Sequence, residues 1–372
     1  TIIAIGGCMM QEKNMVEKLK KSYPYVDIIF GTHTMQNLPQ DIFEVLNQNI
    51  KVKDILDIDG KVYEGLPIKR FDKIKASVTI MYGCNNFCSF CIVPYVRGRE
   101  RSRNPENIIN EIIGLAKEGY KEITLLGQNV NSYLVNEKKK NPDIEYTVVI
   151  NNKEYKINSF ATLLLAVNEI EGIERYRISS IEPNLLTEEI IDWISSGTKF
   201  APHFHIPLQS GCSATLKRMN RRYTTDDFKS KIEYIREKMG DVFFGIDVIV
   251  GFPGESESEF DSTYSFLAET IKPAFIHIFP YSLRPGTKAA EIGGHIAEEV
   301  KRSRVRRLEE LSKSLHNDYI ARFSGTEHFV LFESTIKKDS NNRLIEGYTE
   351  NYIKVCAPYN KNLIGKIVKV TI

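Results

Sequence analysis

The spacing of apolar residues changes character along the chain, and each change marks a different unit. Thr1-Ile2-Ile3-Ala4-Ile5 is a short apolar run closed by Gly6-Gly7, the pattern of a buried strand ending in a turn. A helical spacing through Met15, Leu19 and Tyr23 follows, then a second short apolar run from Val26 to Phe30, then a helical stretch from Met35 to Asn47. This strand-helix-strand-helix order is that of a doubly wound α/β domain, and residues 1–48 read as its C-terminal part. Because the sequence opens on a core strand and on Thr rather than Met, an N-terminal truncation is expected. Residues 49–73 are polar and aperiodic, as in a linker.

From Ile74 the pattern becomes a regular alternation of strand and helix. Strands are predicted over 76–81, 122–126, 175–181, 203–208, 243–250 and 275–281, with amphipathic helices such as 104–118 and 186–195 between them. Asn104-Pro105 supplies an N-cap and a first-turn proline. Six such units predict a partial TIM-type (βα)6 barrel over residues 74–296, with its active site at the C-terminal strand ends. The stretch from Asn136 to Lys156 interrupts the rhythm with Lys138-Lys139-Lys140 and a hairpin signal around Asn151-Asn152, which predicts a solvated surface insertion. A charged helix is predicted over 297–323. Short β runs at 329–333, 352–355 and 364–372, separated by Gly and Asn turns, predict a small OB-like β-barrel over 324–372, a fold that often binds nucleic acids.

Composition narrows the class. Hydrophobic residues at 42% and charged residues at 26% suit a soluble globular protein. The net charge of +2 gives no bulk attraction for a polyanion, so any nucleic-acid surface must be local. No apolar run approaches the roughly 18 residues of a membrane span. The absence of a signal peptide and the clustered, unpaired cysteines predict a cytoplasmic protein.

The chemistry concentrates at Cys84, Cys88 and Cys91, spaced C-x3-C-x2-C behind a predicted strand. Three thiolates on one loop can hold three corners of a cubane iron–sulfur cluster and leave the fourth iron open to a small chelating ligand. A structural zinc site would ask for paired C-x2-C knuckles and a fourth ligand, and no second pair exists. The strand ends add glycines and polar groups at one rim: Gly127-Gln128-Asn129, Ser179-Ser180-Ile181-Glu182, Gln209-Ser210-Gly211, Asp247 to Glu255, and Phe279 to Thr287. His203 and His205 alternate with apolar neighbours, which predicts one in the core and the other against a helix. Cys212 and Cys356 read as packed small thiols.

The run Tyr82-Gly83-Cys84-Asn85-Asn86-Phe87-Cys88-Ser89-Phe90-Cys91-Ile92-Val93-Pro94-Tyr95, followed by Arg97-Gly98-Arg99-Glu100-Arg101-Ser102-Arg103, resembles the signature of the radical S-adenosylmethionine (SAM) methylthiotransferases. Leu126 to Val130, Leu208 to Gly211 and Asp247 to Glu255 resemble the same family, and the last segment its RNA-binding TRAM domain. The resemblance implies a [4Fe-4S] cluster on Cys84, Cys88 and Cys91. It also implies SAM against Phe90, Gly127, Gln128, Ser180, Glu182, Gln209 and Gly251, cleaved to a 5'-deoxyadenosyl radical that takes hydrogen from an unactivated carbon. A second [4Fe-4S] cluster, whose sulfur is methylated by another SAM, is implied on three N-terminal cysteines. Cys8 matches the last of them, and the other two have no counterpart here.

Among the branches, Arg177 to Pro183 and Leu216 to Tyr223 resemble the MtaB-like one, which modifies C2 of N6-threonylcarbamoyladenosine beside the tRNA anticodon. Arg97, Arg99 and Arg284 would then be candidates to meet the threonylcarbamoyl carboxylate. The alternatives are a MiaB-like activity on N6-isopentenyladenosine, a RimO-like activity on a ribosomal-protein aspartate, and a non-enzymatic iron–sulfur RNA-binding protein. Implied partners are tRNA, an electron donor such as flavodoxin or ferredoxin, and a sulfur source.

Overall fold

The computed structural model describes residues 1–48, 50–56, 62, 64–65, 68–337 and 343–372. At the N-terminal end, β1 (Ala4–Gly6), β2 (Ile28–Phe30) and β3 (Val52–Asp54) form a parallel sheet in that order, covered by helices Lys13–Ser22 and Leu38–Gln48. Val16, Val26 and Ile29 are buried between them. Strand β3 falls inside the stretch expected as linker. Three residues are too few to show a period, and only pairing with β2, Ile28 opposite Val52, makes them a strand. Parts of the expected linker, at 49, 57–61, 63 and 66–67, lie outside the described residues.

The central unit is built on β4 (Lys75–Thr79), then the short antiparallel pair β5 (Met81–Tyr82) and β6 (Arg101–Ser102), then β7 (Glu122–Leu126). After it come the hairpin β8 (Tyr146–Ile150) and β9 (Lys153–Ile157), and then β10 (Arg175–Ile178), β11 (Phe200–Gln209), β12 (Phe243–Val250) and β13 (Phe275–Pro280). Six of these make one parallel sheet ordered β13-β12-β11-β10-β7-β4, so each crossover returns beside its predecessor, the topology of a partial barrel. Asn104 caps helix Pro105–Lys117 as expected, its side chain accepting from Glu106 N at 2.8 Å.

Period-two alternation splits every strand between two environments. Phe204, Ile206 and Leu208 of β11 and Phe244, Ile246 and Val248 of β12 are fully buried beneath the helices and belong to the main core. The opposite set is polar: Lys75, Glu122, Arg177, His205 and His277 line a cavity of about 930 Å³ inside the half-barrel. Both His203 and His205 lie on this lumen side. The expectation that they divide between core and helix fails because residues two apart on a strand share a face.

The insertion is less solvated than expected. Asn151 and Asn152 take left-handed backbone angles, φ 51° and 62°, making the tight turn their sequence signals. One face of the hairpin, through Val148, Ile150 and Ile157, is nonetheless buried in the main core against helices Pro105–Lys117 and Phe160–Asn168. Of the thiols expected to be packed, Cys212 is half-buried and Cys356 is exposed, because alternation on its strand points it away from the small core.

Helix Glu298–Ala321 leads into β14 (Glu327–Lys337), β15 (Arg343–Tyr348), β16 (Lys354–Pro358) and β17 (Ile367–Thr371), an antiparallel sheet ordered β16-β15-β14-β17 around Val330, Phe332 and Ile345. The floor of the barrel is fastened to this sheet by charge. Glu122, buried, accepts hydrogen bonds from Arg175 Nε and from Arg177 Nε, the latter at 3.2 Å. The two guanidinium groups also donate to the carbonyls of Tyr348, Thr349 and Glu350 at 3.0–3.1 Å. Burial alone would raise the Glu122 pKa, but Arg177 and Arg175 hold it below the usual glutamate value.

Replacing Glu122 with Ala leaves two buried arginines without their anion and is expected to cost about 3–5 kcal/mol, measurable by chemical denaturation. The depressed carboxyl pKa contributes stability at neutral pH that is lost as pH falls through its folded value, below 4.5. The variant therefore shows a shallower loss of stability with acid than the parent.

Candidate active site

The cysteine loop begins at a glycine that geometry demands. Gly83 has φ 76°, and a Cβ there would lie 2.1 Å from the carbonyl oxygen of Arg99. Its N–H donates to Gln128 Oε1 at 2.7 Å, so the side chain after β7 anchors the start of the loop. The next anchor is Glu100, a buried carboxylate just before β6. It accepts from Asn85 N at 3.0 Å, Asn85 Nδ2 at 3.1 Å, Asn129 Nδ2 at 2.8 Å and Ser132 Oγ at 2.7 Å. Four donors converge on one anion, and each such charge-assisted bond is stronger than a neutral one.

The far side of the loop is held by the segment Arg218–Tyr223. Ser89 N donates to Met219 O at 3.0 Å, Ser89 Oγ to Arg218 O at 2.6 Å, and Asn220 Nδ2 to Phe87 O at 2.9 Å. Arg221 is pinned by Glu182 at 2.8–2.9 Å and donates from Nη1 to Cys88 Sγ at 3.0 Å. Asn86 Nδ2 reaches the same Glu182 at 3.1 Å.

Each of the three sulfurs is thereby met by an N–H group: Asn86 N at Cys84, Arg221 at Cys88 and Val93 N at Cys91. Without iron, burial pushes the Cys84 thiol up to about 12 and raises Cys91 as well. Ligation must ionise them, and the N–H donors then face the sulfur charge. Three thiolates on one loop, each faced by an N–H group, are the donor chemistry of three corners of a cubane. The donor set thus fits a [4Fe-4S] cluster with one iron left open.

Beside Cys91 a cavity of about 350 Å³ opens at the C-terminal strand ends, lined by Phe90, Gln209, Asp247, Tyr281 and Arg284. Gln209 reaches it through a left-handed backbone, φ 70°. The turn after it is braced by Thr263 Oγ1, which accepts from Gly211 N at 3.1 Å, with no room there for a Cβ, 2.8 Å from Thr263 Cα.

Of the residues expected around SAM, this cavity brings together Phe90 and Gln209, with Arg284 at its rim. Gln128 and Glu182 are engaged in holding the cysteine loop, as described. Ser180 Oγ lies 3.2 Å from His205 Nδ1, at the barrel lumen. Gly127 is packed against Met81, where a Cβ would come within 2.7 Å, and Gly251 against Lys301, with its N–H donated to Glu255 Oε2 at 2.6 Å. Arg99 lies over the Phe87 ring at 4.3 Å, and the carbonyl of Arg97 accepts from Arg101. Glu100, Arg221 and Asp247 escaped the sequence reading as site residues, although a carboxylate two residues past Gly98 and a guanidinium in an Asn-Arg-Arg-Tyr run were both visible.

Cys8 sits in a half-buried turn, Cys8–Gln11, packed against helix Val93–Val96 directly after Cys91. The N-terminal unit is also tied there by Thr32 Oγ1, which donates to Val96 O at 2.7 Å. One thiol cannot hold a second cubane, so the cysteines of this sequence do not fit that centre.

Residues 78–267 match the radical SAM superfamily, whose members use SAM and a [4Fe-4S] cluster. The chain is 43% identical over 371 residues to tRNA-2-methylthio-N(6)-dimethylallyladenosine synthase of Thermoanaerobacter pseudethanolicus, covering 100% of this chain and 74% of that protein. The same identity and span hold for the synthase of that name from Clostridium botulinum, with 78% of that protein covered. It belongs to the radical SAM methylthiotransferase family. In fold, it resembles the radical SAM methyltransferase TsrM of Kitasatospora setae at a TM-score of 0.50 and 14% identity, over 78% of this chain and 57% of that one.

Membership supports an enzyme of the methylthiotransferase kind, but not the threonylcarbamoyl branch expected from Arg177 to Pro183 and Leu216 to Tyr223. Both relatives are named for dimethylallyladenosine. The structure gives a physical reason why those two segments were poor guides. Arg177 is committed to Glu122 and the terminal sheet, and Arg221 to Glu182 and the Cys88 sulfur. Among the described residues, no helix of this methylthiotransferase is long and apolar enough to cross a membrane.

Replacing Glu100 with Ala strands four donors around the cysteine loop, at about 1–3 kcal/mol for each group left unsatisfied. The expected outcome is a folded barrel with a marked loss of bound iron after reconstitution, read by elemental analysis and circular dichroism.

Proposed function

We propose that this chain carries out SAM-dependent methylthiolation of C2 of N6-dimethylallyladenosine in tRNA. The observation that carries the reading is the N–H-lined trio Cys84, Cys88 and Cys91 beside the Phe90–Gln209–Arg284 cavity, in a chain 43% identical over its length to two synthases of that name. In this reading Cys84, Cys88 and Cys91 hold the cluster and Phe90 and Gln209 flank SAM in the adjoining cavity. Glu182 and Arg221 keep the loop and the Cys88 sulfur in place. When bound, the cluster and SAM supply the carbon-centred radical needed at an aromatic C–H that has neither useful acidity nor a leaving group. The protein's own work is placement and exclusion of water.

A dimethylallyl group is uncharged and offers no carboxylate for a cation to meet. Arg97, Arg99 and Arg284 are assigned here to tRNA phosphates, which position the nucleic acid without reading its sequence. The terminal β unit, residues 324–372, is assigned to the same tRNA. A one-electron donor such as flavodoxin or ferredoxin, and a source of sulfur, complete the set of partners.

Two measurements test this reading. Cys88→Ala is expected to lose iron and all reductant-dependent formation of 5'-deoxyadenosine; cleavage at the parent rate would remove the basis of the assignment. Mass spectrometry of tRNA nucleosides from cells lacking the gene is expected to show loss of the methylthio group from dimethylallyladenosine. Its loss from threonylcarbamoyladenosine instead would keep the reaction and change the substrate, and no change in either would overturn both.

A further inference from the structure

Inside the half-barrel, three adjacent strands each direct one metal-binding side chain to the same place. His205 comes from β11, Asp247 from β12 and His277 from β13, and Asp247 and His277 are direct register partners. One ligand atom from each lies within 4.8 Å of the other two, a grouping distinct from the cysteine loop. We propose that His205, Asp247 and His277 form a second metal site, for a divalent first-row transition ion such as Zn2+, in the lumen of the barrel.

The donor chemistry suits that class. Two imidazoles and one carboxylate are ordinary ligands of zinc and of non-haem iron, and three protein ligands leave a coordination position open. That position faces the 930 Å³ lumen, which His205 and His277 line, so water or a small anion can occupy it. The residues sit on paired strands rather than on loops, which limits how far the site can drift. His205 also has the outer partner that a metal-binding imidazole requires, Ser180 Oγ at 3.2 Å from Nδ1. Ligation through Nε2 takes the tautomer in which Nδ1–H donates to Ser180, which leaves the Nε2 lone pair for the ion.

With Nε2–H donating to Asp247 Oδ1 at 2.6 Å, ligation moves the imidazole proton to Nδ1 and exchanges this hydrogen bond for two bonds to the metal. Tetrahedral zinc places its ligand atoms roughly 3.4 Å apart. Gathering them from within 4.8 Å asks for rotation of three half-buried side chains.

The test uses the iron-reconstituted protein, in which Cys84, Cys88 and Cys91 are occupied, with zinc alone as the probe. The expected result is about one retained zinc per chain, with an X-ray absorption first shell of nitrogen and oxygen only. His277→Gln and Asp247→Asn should weaken retention at least tenfold, while His316→Gln, on the same lumen but outside the trio, should leave it unchanged. Sulfur in the first shell, no retained zinc, or equal retention in His277→Gln would each overturn the proposal. Iron content and circular dichroism, followed in every sample, separate a lost site from a lost fold. Because the wild-type first shell is read directly, the proposal remains testable even if a variant fails to fold.

Discussion

A short loop carrying three cysteines has no means of holding its own shape, and the carboxylate of Glu100 is what gives it one. Its two oxygens accept from Asn85, Asn129 and Ser132, so the loop, the strand end after β7 and the turn that follows are drawn to one point. A buried anion with four donors is stable where a bare one is not, because the donors replace the water it gave up. Glu182 repeats the device on the opposite side with Arg221 and Asn86. Between these two carboxylates the loop is held in place, and preorganisation of that kind is what a cluster with an open iron needs.

The same dependence on paired charge runs through the barrel. Its hydrophobic core lies outside the sheet, beneath the helices, while the inner face of the sheet sets charged and polar side chains among aromatic ones such as Phe243 and Phe275. A lumen lined with His, Glu, Arg and Asp can exist only if each charge finds a partner or water. Glu122 between Arg175 and Arg177 meets that demand at the floor and simultaneously fastens the terminal sheet through three backbone carbonyls. The separation lets one fold carry a rigid outer core and a wet interior. The cavity beside Cys91 and the lumen beneath it share Asp247, through its own lining of the first and its contact with His205 in the second.

Much of this molecule can be read from residue order alone. The cysteine spacing, the glycine before it and the alternation of β-type and helical runs are local patterns, and local sterics and backbone hydrogen bonding are enough to express them. Asn151-Asn152 specified its own turn, and Asn104-Pro105 its own helix start. By contrast β3 is three residues made into a strand by a neighbour, and Cys356 was misplaced because the facing of a short edge strand depends on the sheet it joins.

The roles of charged residues were the least legible, since a charge is defined by what it meets. Arg177 and Arg221 stood in the segments that resembled a substrate branch and are paired with Glu122 and Glu182; Gln128, expected beside a cofactor, also accepts from Gly83 N. The sequence by itself determined the type of chemistry and the order of elements, because both rest on residues close together along the chain. Only the tertiary structure decided which carboxylate pairs with which guanidinium, which face of β11 is wet, and that His205, Asp247 and His277 meet. Those contacts join positions 29 to 172 residues apart, and nothing in their separate neighbourhoods encodes the distance between them.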